Sequence, residues 1–166
     1  MGAAKICRSF ISTPMGDILI VAQKGSLIYS HWSSKKNHEQ TLPLEMVNVP
    51  KDQSVLERAS GEIRAYFAGE LSQFSLPYKF VEGTDFQKGV WREIAKIPFG
   101  ETVSYSTLAR SLGVPQGVRP VASACGANPL LLLIPCHRVL RKNGNLGGFA
   151  AGLDVKKTLL KVEGAY

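Results

Sequence analysis

Lys24 and Gly25 interrupt two apolar, β-branched runs in the stretch "GDILIVAQKGSLIYSHW" (residues 16–32). Apolar runs on either side of a glycine-containing dipeptide read as a β-hairpin with a tight turn. "CRSFIST" just upstream has the same character, so the first 32 residues read as antiparallel strands. The period then changes. From Ser54 to Gly69, residues Val55, Leu56, Ala59, Ile63, Tyr66 and Phe67 fall on one helical face. Between them, "SSKKNHEQTLPLEMVNVP" is polar and broken by proline, which predicts a surface loop.

Past Glu82 and Gly83 the pattern is helical. Thr84, Asp85, Phe86 and Gln87 spell a capping box, opening a helix with Phe86, Val90, Trp91, Ile94 and Ile97 that ends at "PFG". Ser104 caps a second, short helix, "YSTLARSL", which stops at Gly113. "GVPQ" turns the chain into a third, "GVRPVASACG". Two short helices joined by a glycine-containing turn fit a helix-turn-helix, and equally many other helical hairpins. Asn143 and Gly144 mark a tight turn, "NLGGFAAGL" a glycine-rich loop, and Asp154 is expected to cap a last helix that ends before Gly164. The expected fold class is α/β (α+β). Residues 1–83 form a small N-terminal α/β lobe with antiparallel strands, and residues 84–166 a mostly helical lobe containing the helix-turn-helix.

The apolar share, 45%, supports a core and argues against disorder. The longest apolar run, residues 130–134, is too short to span a membrane, and no secretory block follows Lys5 and Arg8. Three cysteines without CxxC spacing speak against a disulfide framework and for a reducing interior. The net charge of +7 is uneven, because residues 102–153 hold Arg110, Arg119, Arg138, Arg141 and Lys142 and no carboxylate. A segment of one sign suggests a polyanionic partner, although a basic solvated surface would read the same way.

The apolar run ends in "IPCHRV", residues 134–139, which sets cysteine, histidine and arginine side by side. Desolvated imidazole and guanidinium groups need partners, so the stretch marks a strand end or a site. Cys136 could be a small core hydrophobe or a nucleophile. As a nucleophile it needs a base. Adjacent side chains point in different directions, so His137 would reach it more easily through a water than directly.

"PCHRV", preceded by "NP" and followed by "GGFAAGL" and "LLKVEG", resembles the O6-alkylguanine-DNA alkyltransferases, the methylated-DNA–protein-cysteine methyltransferases. The resemblance runs upstream through "TDFQKGVWREIAKIPFGETVSYSTLA", with a looser likeness at "AYFAGEL" in the first lobe. It implies DNA repair in which an alkyl group passes irreversibly from the guanine oxygen to the protein's own cysteine, once per molecule and without a cofactor. Cys136 is then the acceptor. His137 takes its proton through a water, Glu163 holds His137, and Asn128 braces the turn that carries the nucleophile. Tyr105 aids rotation of the nucleotide and donates to the base ring, while Arg119 fills the vacated stack. Ser123, Ala124 and Gly126 belong to the helix that approaches the minor groove. Val139, Phe149, Ala150 and Cys125 line the pocket, with backbone groups of Cys136 and Val139 meeting the guanine amine.

Some relatives have tyrosine and serine where this chain has Phe149 and Ala150, so a phenolic oxygen is lost while the backbone N–H of Ala150 remains. A zinc site of two cysteines and two histidines, found in the first lobe of some members, is not expected, since only Cys7, His31 and His38 are available. The expected partner is double-stranded DNA containing O6-alkylguanine, with no membrane. The expected state is a monomer in the cytoplasm, or in the nucleus of a eukaryotic host. The alternative is a non-catalytic alkyltransferase-like lesion-binding module, a class that lacks the acceptor cysteine; a cysteine hydrolase ranks below it.

Overall fold

Residues 5–33, 45–46 and 50–166 are described by a computed structural model. They fall into two units, Met1–Val81 and Glu82–Tyr166. Among them no helix is long and apolar enough to cross a membrane.

Among the described residues, the first unit is a four-stranded sheet with one helix. Strands β1 (Lys5–Thr13), β2 (Gly16–Gln23) and β3 (Ser26–Trp32) pair antiparallel in the order β3-β2-β1. The β2–β3 turn is the expected dipeptide, with Lys24 at φ 51° and Gly25 at φ 77°. Two successive left-handed residues give the turn a twist that matches the strands. A short strand, β4 (Glu45–Met46), joins β1 in parallel through Lys5↔Glu45 and Ile6↔Met46. It interrupts the expected proline-broken loop; the remainder of that loop, through residue 49, lies outside the described residues apart from Ser33. Helix α1 (Pro50–Phe67) begins four residues before the apolar periodicity does, because Pro50 suits a first helical position and Asp52 is buried, accepting the Gly25 N–H at 2.5 Å. Val55, Leu56, Ala59, Ile63 and Tyr66 form its buried face, as their spacing predicts.

The second unit carries the site. Helix α2 (Asp85–Ile94) opens on the capping box, with Thr84 and Gln87 bonded reciprocally. Trp91 donates its indole N–H to the Ala124 carbonyl at 2.8 Å, tying α2 to α4 (Val118–Gly126). Between them, Ser104 caps α3 (Tyr105–Ser111), and Gly113 at φ 73° closes it. Strands β5 (Val103–Ser104) and β6 (Val139–Leu140) pair in parallel. The last helix, α5 (Leu153–Val162), differs from expectation at its start. Gly152 at φ 99° turns the chain into the helix, so Asp154 lies in the first turn and caps nothing, though its charge still suits the N-terminal dipole. Its end is as expected. Gly164 at φ 69° donates to the Lys161 carbonyl, and Ala165 to that of Leu160. This Schellman motif makes Glu163 the C-cap residue.

Candidate active site

The apolar run before Cys136 is a buried turn. Leu132 adopts φ 76°, a left-handed conformation that disfavours leucine by about 1–3 kcal/mol, and the Ile134 N–H bonds back to the Leu130 carbonyl. Asn128 holds both ends of this turn. Its Oδ1 accepts the Leu130 N–H at 2.9 Å, while its Nδ2 donates to the Ile134 carbonyl at 2.8 Å and faces Cys136 Sγ at 3.2 Å. An asparagine supplies both an acceptor and donors, so this buried side chain is satisfied and the thiol is fixed by it.

Cys136, His137 and Arg138 then form one turn of 3₁₀ helix. Neighbours in such a turn diverge by about a third of a revolution. Cys136 faces a pocket of about 450 Å³, whereas His137 and Arg138 face Glu163. His137 is fully buried, with Nε2 2.8 Å from Glu163 Oε1; its Nδ1 has no partner among the described residues. With a carboxylate at Nε2, the favoured tautomer carries its proton there and leaves Nδ1 as a lone-pair acceptor. Cys136 and His137 share no direct hydrogen bond, as their adjacency predicts.

Arg138 was expected to belong to the basic segment that meets a polyanion, and the structure corrects this. It is 7% exposed, and donates Nε to Glu163 Oε2 at 2.8 Å, Nη2 to Glu163 Oε1 at 2.9 Å and Nη1 to the Ile97 carbonyl at 2.5 Å. Four basic residues of the acid-free segment, Arg110, Arg119, Arg141 and Lys142, are exposed.

The pocket is lined by Tyr105, Val118, Arg119, Ala122, Cys125, Gly126, Cys136, Arg141, Gly147, Gly148, Phe149 and Ala150. It therefore brings together seven residues singled out from the sequence: Tyr105, Arg119, Cys125, Gly126, Cys136, Phe149 and Ala150. Asn128, His137 and Glu163 are buried behind that lining, and Val139, expected to line the pocket, is corrected to a buried position outside it, its side chain fully packed and its carbonyl taken by Lys156. Ser123 is exposed on α4, on the side expected to meet DNA. Ala124 is not; at 2% exposure its side chain packs inward, and it offers no surface to a groove.

Lys156 is the residue sequence reasoning missed. It is fully buried, and its Nζ donates to the carbonyls of Val139 at 2.7 Å, Gly148 at 3.1 Å and Leu146. It thereby pins the glycine-rich wall of the pocket to β6. The signal was present, since Lys156, Leu159, Leu160 and Glu163 fall at the i, i+3, i+4, i+7 spacing of one helical face. Gly147 allows that wall to close. At φ 71°, a side chain there would meet the Tyr105 ring at 3.0 Å.

Burial dominates the electrostatics. It pushes the Cys136 thiol up to about 11, against the downward pull of the Asn128 hydrogen bond and of Lys156. It likewise pushes Cys125 and Tyr105 up to about 12 and Lys156 down to about 8. His137 is lowered by burial, opposed by Glu163 and assisted by Arg138 and Lys156. At neutral pH the site thus holds a protonated thiol, a neutral imidazole and a phenol that keeps its proton. Such a thiol reacts only when a base removes its proton.

Residues 85–165 match the 6-O-methylguanine DNA methyltransferase DNA binding domain, and residues 6–80 match the ribonuclease-like domain of the same family. The methylated-DNA–protein-cysteine methyltransferase of Methanosarcina acetivorans is 37% identical over 95% of this chain and 97% of its own. That of Methanosarcina barkeri is 40% identical over 92% and 94%. Among solved structures, Mycobacterium tuberculosis OGT in complex with DNA superposes with a TM-score of 0.83 at 33% identity, covering 98% of this chain and 94% of that one. Matched in both halves and across nearly its whole length, the chain belongs to the 6-O-methylguanine DNA methyltransferase family.

Proposed function

We propose that this protein repairs O6-alkylguanine in double-stranded DNA by moving the alkyl group to Cys136, once per molecule and without a cofactor. The observation that carries the reading is the placement of the Cys136 thiol. It opens onto a pocket edged by Tyr105 and Arg119, and is braced from behind by Asn128. Unit Glu82–Tyr166 supplies both DNA binding and transfer.

An alkyl group on a stacked base is out of reach, so the nucleotide rotates into the pocket, whose volume falls in the range of small-molecule sites. Arg119 and α4 lie against the minor groove, and the Arg119 side chain takes the place of the rotated base. The thiol proton passes through a water to His137 Nδ1, and Glu163 stabilises the imidazolium that results. The sulfur lone pair forms the S–C bond as the C–O6 bond breaks, and its electrons return to the guanine. Tyr105, whose phenol is protonated at neutral pH before the reaction, passes its proton to the ring as the C–O6 bond breaks, so that guanine leaves neutral and the phenolate regains a proton from solvent. The protein acts as a monomer in the cytoplasm, or the nucleus of a eukaryotic host, where a reducing milieu keeps Cys136 a free thiol.

Cys136→Ser tests this reading. A hydroxyl is a far weaker nucleophile at the same place, so transfer from O6-methylguanine DNA is lost while DNA affinity stays within a few-fold. Continued transfer in that variant would move the acceptor to another cysteine. The same result discriminates against the lesion-binding module, which transfers nothing in either form.

A further inference from the structure

Glu163 is held by at least four donors in a space closed to solvent. Oε1 takes His137 Nε2 and Arg138 Nη2, and Oε2 takes Arg138 Nε and, at 3.3 Å, the Gly100 N–H. The guanidinium therefore grips both oxygens of the carboxylate that His137 uses. It is itself locked by the Ile97 carbonyl, and its Cζ lies 5.9 Å from the Phe99 ring centroid. Planar two-point contact of this kind is specific to arginine.

Charge adds a second role to the geometry. A buried carboxylate facing an imidazole alone strongly favours the imidazolium. An imidazolium has no lone pair at Nδ1 and cannot take a proton from the thiol. Here the carboxylate is already matched by a guanidinium, and Lys156 on α5 adds a further positive charge against the imidazolium. Cys136, the remaining titratable neighbour in the turn, is protonated at neutral pH.

We propose that Arg138 is a positioning residue for alkyl transfer: by gripping both Glu163 oxygens it fixes the carboxylate against His137 and balances its charge, so that the imidazole remains a neutral base. Arg138 touches neither the thiol nor the pocket and acts through Glu163 and His137. The inference rests on the transfer to Cys136 proposed above. It assigns the lower pH limit of that reaction to an arginine instead of to the histidine and glutamate alone.

The test follows the His137 ring proton by NMR against pH, alongside single-turnover transfer, in the full chain and in Arg138→Gln and Arg138→Lys. The parent midpoint is expected below the ordinary histidine value of 6.5. Arg138→Gln should raise it by about one pH unit or more and move the acid limb of the rate with it, read as a roughly tenfold slower transfer at acid pH. Arg138→Lys keeps the charge and loses the fork, so its midpoint stays near the parent's while the plateau rate falls. Three results would each overturn the proposal. They are a parent midpoint at or above 6.5, an Arg138→Gln rate reduced equally at every pH with the midpoint unmoved, or a Lys midpoint raised as far as that of Gln. If Arg138→Gln does not fold, the parent midpoint and the plateau rate of Arg138→Lys still decide, because a parent midpoint at or above 6.5, or a Lys variant with the parent's plateau rate, would overturn the proposal. The titration needs no DNA, so a parent that never methylates Cys136 would refute the transfer reading separately.

Discussion

Glu163→Gln is the most informative single change. From the sequence alone it is expected to slow transfer and leave the fold intact, because an amide cannot balance a cationic imidazole. The structure adds a larger effect. Each Glu163 oxygen accepts from two donors, so whichever way the amide turns, its NH₂ group faces two of them. The substitution also leaves Arg138 buried and unpaired. Removing one partner of a buried ion pair typically destabilises by about 3–5 kcal/mol, a large part of the 5–15 kcal/mol of an ordinary domain. With a urea slope near 2 kcal/mol per molar, the midpoint should fall by roughly 1.5–2.5 M. Trp91, buried in the same unit, reports the transition in a Trp32→Phe background, and single-turnover transfer is measured in parallel. Adding Arg138→Met should recover most of the stability but not the rate, since the orphaned charge is gone while His137 still lacks its carboxylate. A Glu163→Gln midpoint within about 0.3 M of the parent would refute the reasoning, showing that the pair adds nothing to the fold.

Arg119→Ala should cripple repair in duplex DNA yet spare reaction with free O6-benzylguanine, because only the duplex carries an unstacking penalty of about a few kcal/mol. Arg119→Lys keeps the charge, so full recovery by lysine would mean that Arg119 acts through charge and not by filling the stack. DNA affinity should fall with salt at a log–log slope of roughly −3.6 if Arg110, Arg119, Arg141 and Lys142 each meet one phosphate, and a flat response would move the DNA face elsewhere. Stability should also fall in acid. His137 has its midpoint lowered in the folded state, so the unfolded chain binds more protons once the pH drops below about 6.5. Stability is then lost from that pH down through the folded midpoint, and His137→Asn should flatten the slope of unfolding free energy over that window.

Local rules carry much of this molecule. The Lys24 and Gly25 turn, the Thr84 and Gln87 capping box, the Ser104 cap and the Gly164 stop are each set by a few neighbouring residues, and each forms as its residues imply. The departures arise where distant chain segments decide. Residues 45–46 have no strand periodicity of their own and become β4 because β1 offers an edge. The leucine-rich run reads as the approach to a strand end, yet Asn128 folds it into a turn through bonds to both of its ends. Cys136 and His137 were legible as a candidate site because cysteine, histidine and arginine stand side by side after an apolar run, and Glu163 only through the resemblance that "LLKVEG" carries. That Arg138 serves Glu163 and not a phosphate was not, because exposed and buried arginines look alike in sequence. Lys156 was hidden for the same reason. A lysine in an amphipathic helix is ordinarily read as solvent-facing, which outweighs its place on the face of Leu159 and Leu160 until its partners in the pocket wall are seen.

If Cys136 is the acceptor, it leaves the reaction carrying the alkyl group. Intact mass after incubation with DNA containing a single O6-methylguanine, followed by peptide mapping, tests it most directly. The expected result is a gain of one methyl group per protein molecule, located on Cys136, with an equal amount of guanine restored in the DNA and no further turnover. Methyl on Cys125 or Cys7, or restored guanine with the protein's mass unchanged, would contradict it.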